Sequence, residues 1–294
     1  MYLDLLQNTL DGLAMGAAYA LLAVGFTLIF GVLRRVNLSY GPAIMFGAYC
    51  ATWVHLNFQA GVLALALITI AGATLAGAYV ERLCFAPHRK GSAIAAMVAS
   101  FALWMQFEEV VTLVMPKHVY DFPPMLSADP ISFGPLTLRI EALVMFGCAL
   151  AIGFGLQRLL YRSRFGLAVR AVIDAPVAAQ LAGINVPRIL LQVFLLASSI
   201  GGLAGYLIVS THTQITPMLG MWSTLKGLLA MMIGGLGSLP GAIVGGLLLG
   251  VLEAHSQWFL GPQSRDLLAY LLLFALLALR PYGLWRARAA QAGA

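Results

Sequence analysis

The sequence predicts an all-α fold, a polytopic transmembrane helix bundle of eight or nine spans in which two runs are short enough for broken or half-length helices. Three observations carry that prediction. Of 294 residues, 61% are hydrophobic and 10% charged, and the mean hydropathy is +0.90; a soluble domain carries about 25% charged residues. Nine apolar runs recur along the chain, and in lipid each must satisfy its own backbone hydrogen bonds as helix. Most of the Lys and Arg residues fall in alternate loops, the pattern that orients membrane helices.

The runs follow in order. Thr9–Leu33 would extend about 37 Å as a helix, enough to span with tilt, and Arg34-Arg35 end it. The opening MYLDLLQNTLDG has acids and no basic stretch, so it is not read as a cleavable signal. Pro42–His55 and Gly61–Val80 come next, then a polar hinge, Glu81–Ser92, and the run Ala93–Met115. Five prolines with Asp121 and Asp129 mark Pro116–Arg139 as an ordered surface loop. Ile140–Leu156, Ile189–Val209, Trp222–Gly234, Pro240–Trp258 and Asp266–Leu279 complete the set, with a basic tail after Pro281.

Strict alternation puts thirteen Lys and Arg residues in loops on one side and Lys117, Arg139 and Arg265 on the other. The predicted topology is N-terminus out and C-terminus in the cytoplasm. The net charge of +6 is thus accounted for by loops, and no nucleic-acid partner is implied. Cys50, Cys84 and Cys148 lie in apolar runs without metal or redox spacing and read as packing residues.

Catalytic chemistry finds no support. The five histidines are scattered, without a partner one helical turn away or a carboxylate at ligand spacing. Gly234-Gly235-Leu236-Gly237-Ser238 lacks the ending of a phosphate loop and lies between membrane runs. The chain is read as a non-enzyme with no metal and no cofactor of its own. Among the ionisable residues inside runs, Glu108, Glu109, Lys226 and Glu253 stand away from the run ends. Each needs a partner or water at that depth. For Glu108 and Glu109 two readings stand: a proton relay in a self-contained secondary carrier, or a pair held by polar groups near the outer interface.

Two stretches resemble each other. Ser39-Tyr40-Gly41-Pro42-Ala43-Ile44-Met45-Phe46-Gly47 and Ser238-Leu239-Pro240-Gly241-Ala242-Ile243-Val244-Gly245-Gly246 share residues at four positions and each follows a longer run. Gly/Pro-interrupted segments in corresponding halves point to a transporter's substrate path; chance is the alternative, because small residues are common at membrane helix contacts. Asn37, Ser39, Gly41, Gly47, Gly237, Ser238 and Gly241 are the candidate path residues.

A polar island, 158–188, carries five arginines and one acid, Asp174, between two apolar runs. It reads as a short helical pair at the cytoplasmic membrane surface. Asp174 suits an N-cap with Pro176 in the first turn, and Gly183 suits the stop. The enclosed helix, 175–182, offers Val177, Ala178 and Leu181 on one face. Eight residues do not hold a helix alone, so a partner protein or the lipid surface is expected to stabilise it.

With these residues in view the chain resembles the branched-chain amino acid (LIV-type) permeases of ABC importers, and in length and in Val36-Asn37 the shorter of their two permease subunits. Gly166, Ala168, Arg170-Ala171, Pro176, Ala178-Ala179, Leu181 and Gly183-Ile184-Asn185 match the family's cytoplasmic coupling segment. Gly12, Gly16-Ala17, Tyr19-Ala20-Leu21 and Thr27–Val32 are similar to its opening, Val36-Asn37, Gly41, Met45 and Gly47–Tyr49 to its second motif. Gly234–Ser238 with Pro240–Ala242, and Arg280-Pro281 with Gly283-Leu284, resemble the late glycine motif and the terminus. The chain departs from the pattern at Leu38-Ser39-Tyr40, where the family has Phe-Ala-His, at Pro42, and at Ala175, where the acid stands one position earlier as Asp174.

The resemblance implies one permease transmembrane domain over 1–294 in the bacterial inner membrane, importing branched-chain or other neutral amino acids. It implies a coupling helix in the island, with Gly166, Arg170, Ala171, Asp174, Pro176, Val177, Leu181 and Gly183 as coupling residues. Its expected partners are a second permease subunit (a paralogue), two cytoplasmic ATPases that bind the ATP, a periplasmic binding protein, and membrane lipid.

Overall fold

The computed structural model describes residues 2–89, 91–125, 131–133, 136–261, 264–279 and 283–284. Asp129, Arg280 and Pro281, named above, lie outside these residues, as do Lys90, Arg286 and Arg288 of the thirteen basic loop residues and Pro130 and Pro135 of the five loop prolines. The all-α prediction holds. In chain order the helices are α1 Tyr2–Leu33, α2 Tyr40–Phe58, α3 Val62–Val80, α4 Ala93–Val114, α5 Ile140–Arg162, α6 Arg164–Asp174, α7 Pro176–Leu181, α8 Val186–His212, α9 Met218–Gly234, α10 Leu239–Leu260 and α11 Ser264–Leu279. Among the described residues six are long and apolar enough to cross a membrane: α1, α3 with the turn that extends it to Phe85, α4, α5, α8 and α10.

The two stretches read as short enough for broken or half-length helices, those beginning at Ser39 and Ser238, are neither. α2 and α10 run unbroken for 19 and 22 residues, roughly 28 and 33 Å at 1.5 Å per residue. Pro42 and Pro240 fall in the first turn, where a missing N–H removes no helical bond, so each proline starts a helix and breaks none. The helical irregularity lies elsewhere: Glu81–Phe85 widens to π geometry at the end of α3. The polar hinge read from Glu81 therefore begins only after this turn. Glu81 is itself buried and ion-paired with Arg89.

The proline-rich loop carries short strands. β1, Tyr120–Asp121, pairs antiparallel with β4, Gln214–Ile215, and β2, Ile131–Phe133, forms a hairpin with β3, Leu136–Leu138. The chain divides into two compact units: Met1–Thr27 with Met125–Gly155 and Lys226–Ala294, and Leu28–Pro124 with Leu156–Leu225.

In the first unit α1 and α10 meet through small residues. A Cβ on Gly246 would strike the backbone of Ala20, one on Gly250 the backbone of Gly16, and one on Gly12 the Cα of Val251. Gly12 and Gly16, like Gly246 and Gly250, are four apart, the spacing that brings membrane helix backbones together. In the second unit α2, α3 and α8 form the centre. Gly47 abuts Thr69 and Ala73 of α3, Gly202 abuts Ile70 and Ala73, and Tyr40 donates to the Ala197 carbonyl at 3.0 Å.

Candidate functional site

The island is built as two helices, in keeping with the expected pair. α6 begins at an N-cap, Ser163, whose Oγ accepts from Gly166 N at 2.9 Å. A Cβ at Gly166 would drive into the carbonyls of Leu159 and Leu160, so only glycine lets α5 turn this tightly into α6. α6 buries Gly166, Val169 and Val172 at three-residue intervals, one face of a helix. Arg170 lies over the Tyr161 ring, 5.2 Å from its centroid, while its buried Nε has no partner among the described residues.

Asp174 is not the cap of the next helix. It ends α6, and Ala175 takes the N-cap position of α7 with φ −149° and ψ 85° and no side-chain cap bond. The cause is local: the residue before a proline is pushed out of helical geometry, so the break falls on Ala175 and not one residue earlier. Gly183 does end α7, with φ +85°. Gly183 N donates to Gln180 O at 3.1 Å and Ile184 N to Ala179 O at 3.0 Å, the paired bonds of a glycine-terminated helix.

The six residues of α7 are stabilised within the chain, contrary to the expectation of an external support. Ala179 packs with Val172 of α6 and Leu190 of α8, ringed by Val32, Leu33, Ala171, Ile184, Val186 and Ile189. This satellite cluster explains how a helix too short to persist alone is held. It leaves Val177 and Leu181 uncovered, 71% and 85% exposed.

The candidate path residues fall in both units. In the second, Asn37 Oδ1 accepts from Ser39 N at 3.0 Å, and the Ser39 hydroxyl donates to the Ser100 carbonyl on α4. Leu38 N donates to Ser100 Oγ at 3.2 Å, so the turn before α2 is tied to α4 on two sides. Gly41 lies against Gly220 and Thr224, and Gly47 against α3. In the first unit Gly235 and Gly237 take φ +115° and +80° between α9 and α10, and Ser238 Oγ accepts from Gly241 N at 3.2 Å. A Cβ on Gly241 would strike Gly234 O. The glycine loop is thus a close helix–helix corner. Ser39 and Ser238 occupy the same position, the residue before the first helical turn.

One constellation was not assembled from the sequence. Lys226 Nζ of α9 lies 2.5 Å from Glu253 Oε1 of α10, and Tyr19 of α1 donates to Glu253 Oε2 at 2.8 Å. Lys226 and Glu253 are 1% and 3% exposed and Tyr19 is fully buried. Both charges stood out in apolar runs; the signal for pairing them was that each needed an opposite charge. Glu108 instead accepts from Trp104 Nε1 at 2.6 Å within α4, so it has the polar partner that the second reading asked for, while Glu109 is exposed.

Residues 8–277 match the family model described as branched-chain amino acid transport system, permease component. The chain is 27% identical to the high-affinity branched-chain amino acid transport system permease protein LivH of Escherichia coli K12, over 96% of each protein. It is 29% identical to the corresponding protein BraD of Pseudomonas aeruginosa, over 95% of each. Its fold is similar to a chain of an ABC transporter provisionally assigned to the metal-chelate type, captured facing inward, with a TM-score of 0.53 at 18% identity over 94% of this chain and 87% of that one. The apolar helices, the glycine corners and a family match across nearly the whole length agree: the chain belongs to the branched-chain amino acid transport system permease family and is a multi-pass membrane permease component, not an enzyme.

Proposed function

We infer that the chain is one permease subunit of an ABC importer for branched-chain or other neutral amino acids, driven by separate cytoplasmic ATPases. The observation that carries the coupling role is α7: a helix fixed by its own satellite core that presents Val177 and Leu181 bare. Isolated large apolar residues at a polar surface, on a rigid base, are what a partner groove recognises. The family relatives named for branched-chain amino acid transport support the cargo class.

In this reading ATP closes a pair of ATPases, α7 moves with the one that holds it, and α6 and α8 pass the movement into the spans. The Asn37–Gly47 and Gly237–Gly241 elements border the path, their small residues allowing close helix approach. A paralogous second permease and a periplasmic binding protein complete the importer. Adding α2, α9 and α11 to the six long apolar helices gives nine crossings, with the C-terminus in the cytoplasm and the whole in the bacterial inner membrane.

The test is gentle extraction of the tagged chain from its native membrane, followed by native mass measurement. Two ATPases and a second, distinct permease are expected. A chain that comes out alone and still takes up amino acid in vesicles on an ion gradient would refute the reading.

A further inference from the structure

At the end of α1 a cavity of about 310 Å³ opens between that helix, the turn after α3, and the island. Its walls are of two kinds. Val32, Leu33, Val172, Val186 and Leu190 make an apolar side; Arg34, Arg35 and Arg89 bring three guanidinium groups, with Asp174 as the one carboxylate. The guanidiniums are placed for different reasons. Arg35 staples the turn, donating from Nη1 to the His88 carbonyl at 2.6 Å and from Nη2 to the Gly91 carbonyl at 2.9 Å. Arg89 pairs with buried Glu81 through Nη2, yet its Nε is buried without a hydrogen-bond partner among the described residues. Arg34 is exposed and in no ion pair among the described residues, and sits at φ +52°. A side chain seldom occupies that left-handed region, and here it occurs in the wall of a basic pocket.

Carbonyls and Glu81 absorb part of this charge, and the rest is unspent. Asp174 shares the cavity but forms no ion pair among the described residues. The buried Nε of Arg89 is closed to a ligand, so the cavity offers the exposed Arg34 guanidinium and the accessible part of Arg89, and a guanidinium fork matches the oxygens of a phosphate. The apolar half of the wall adds a second requirement. A simple anion meets only the guanidiniums, whereas a phosphate attached to acyl chains meets both sides. Basic pockets between membrane helices take anionic headgroups in this way.

We propose that this cavity binds the phosphate of an anionic phospholipid headgroup, with Arg34 and Arg89 as its donors and the acyl chains leaving along Leu33 and Leu190. Asp174 sets the affinity by opposing it. The bound phosphate would bridge the end of α1 to the α6–α7 corner. The cavity would then be a lipid site at the base of the coupling segment, independent of which cargo the protein carries.

The experiment titrates the purified full chain in neutral detergent with phosphatidylglycerol and counts bound lipid by native mass spectrometry. Arg34→Gln is expected to lower the affinity about fivefold, one such charge at a membrane surface being worth about 1 kcal/mol. Asp174→Asn is expected to raise it by a similar factor. Arg162→Gln, on an exposed residue outside the cavity wall, leaves it unchanged, and phosphatidylcholine binds no more to the wild type than to Arg34→Gln. Displacement of the lipid by millimolar inorganic phosphate, with the same order of variants, keeps the phosphate chemistry and assigns it to a free anion. Equal losses in Arg34→Gln and Arg162→Gln, or an affinity unmoved by Asp174→Asn, overturn the site.

Discussion

At the scale of single residues the most consequential feature is a charge pair where charge is most costly. Removing water from Lys226 and Glu253 costs several kcal/mol per ion, and their attraction with the Tyr19 hydrogen bond roughly offsets it. The pair therefore contributes little net stability, but either charge left alone is expensive. Glu253→Leu is expected to cost about 3–5 kcal/mol, read as a lower unfolding midpoint in detergent and a smaller folded yield. Lys226→Met combined with Glu253→Leu should recover the wild-type midpoint or exceed it. A double variant as unstable as the single one would mean that the site needs charge for reasons beyond mutual compensation. This pair also marks a limit of sequence reading. Lys226 and Glu253 were each recognisable as anomalies in apolar runs, but they lie 27 residues apart on different helices. Nothing in a linear pattern says which faces of two membrane helices meet.

At the scale of helices the glycines decide. Gly246 approaches Ala20 so closely that any added carbon meets backbone, which cannot step aside as a flexible side chain can. Gly246→Ala is expected to cost about 1–3 kcal/mol. Gly61→Ala, where an added Cβ meets nothing within 4 Å and φ is −70°, should change stability by no more than about 0.5 kcal/mol. Thermal unfolding of the two variants side by side checks both. The same elements show what was legible and what was not. Ser39 and Ser238 were correctly seen as the starts of helical segments because Ser, Gly and Pro are signals that act locally. Broken or half-length helices were considered for them because glycine and proline interrupt both segments; Pro42 and Pro240 fall in the first turn, where no helical bond is lost, so the backbone runs on unbroken. The island was legible for a similar reason. Gly183 stopped α7 as expected, and only the cap moved, because the constraint of Pro176 acts on Ala175 before any side chain at Asp174 can compete. The satellite core beneath α7 was beyond reach, as it joins Val172, Ala179 and Leu190 across three helices.

At the scale of the molecule the question is how an ATP-driven movement outside the membrane reaches helices within it. In the proposed reading α7 receives it: Ala179 binds it inward to α6 and α8, while Leu181 offers most of its side chain to the outside. These two contacts separate folding from coupling, because a change at Leu181 disturbs no packing whereas a change at Ala179 would. Leu181→Asp should leave the unfolding midpoint within about 0.5 kcal/mol of wild type, as for other exposed sites. A charge placed in an apolar partner groove forfeits a central anchor, worth about 2 kcal/mol or more, so ATPase recovered with the tagged chain should fall at least about tenfold. Amino-acid uptake should fall with it, while Glu108→Gln, a residue held by the neighbouring Trp104 indole, leaves uptake intact. Uptake that survived Leu181→Asp but vanished with Glu108→Gln would transfer the driving force from ATP to a proton gradient, and would leave α7 as a helix with nothing to grip.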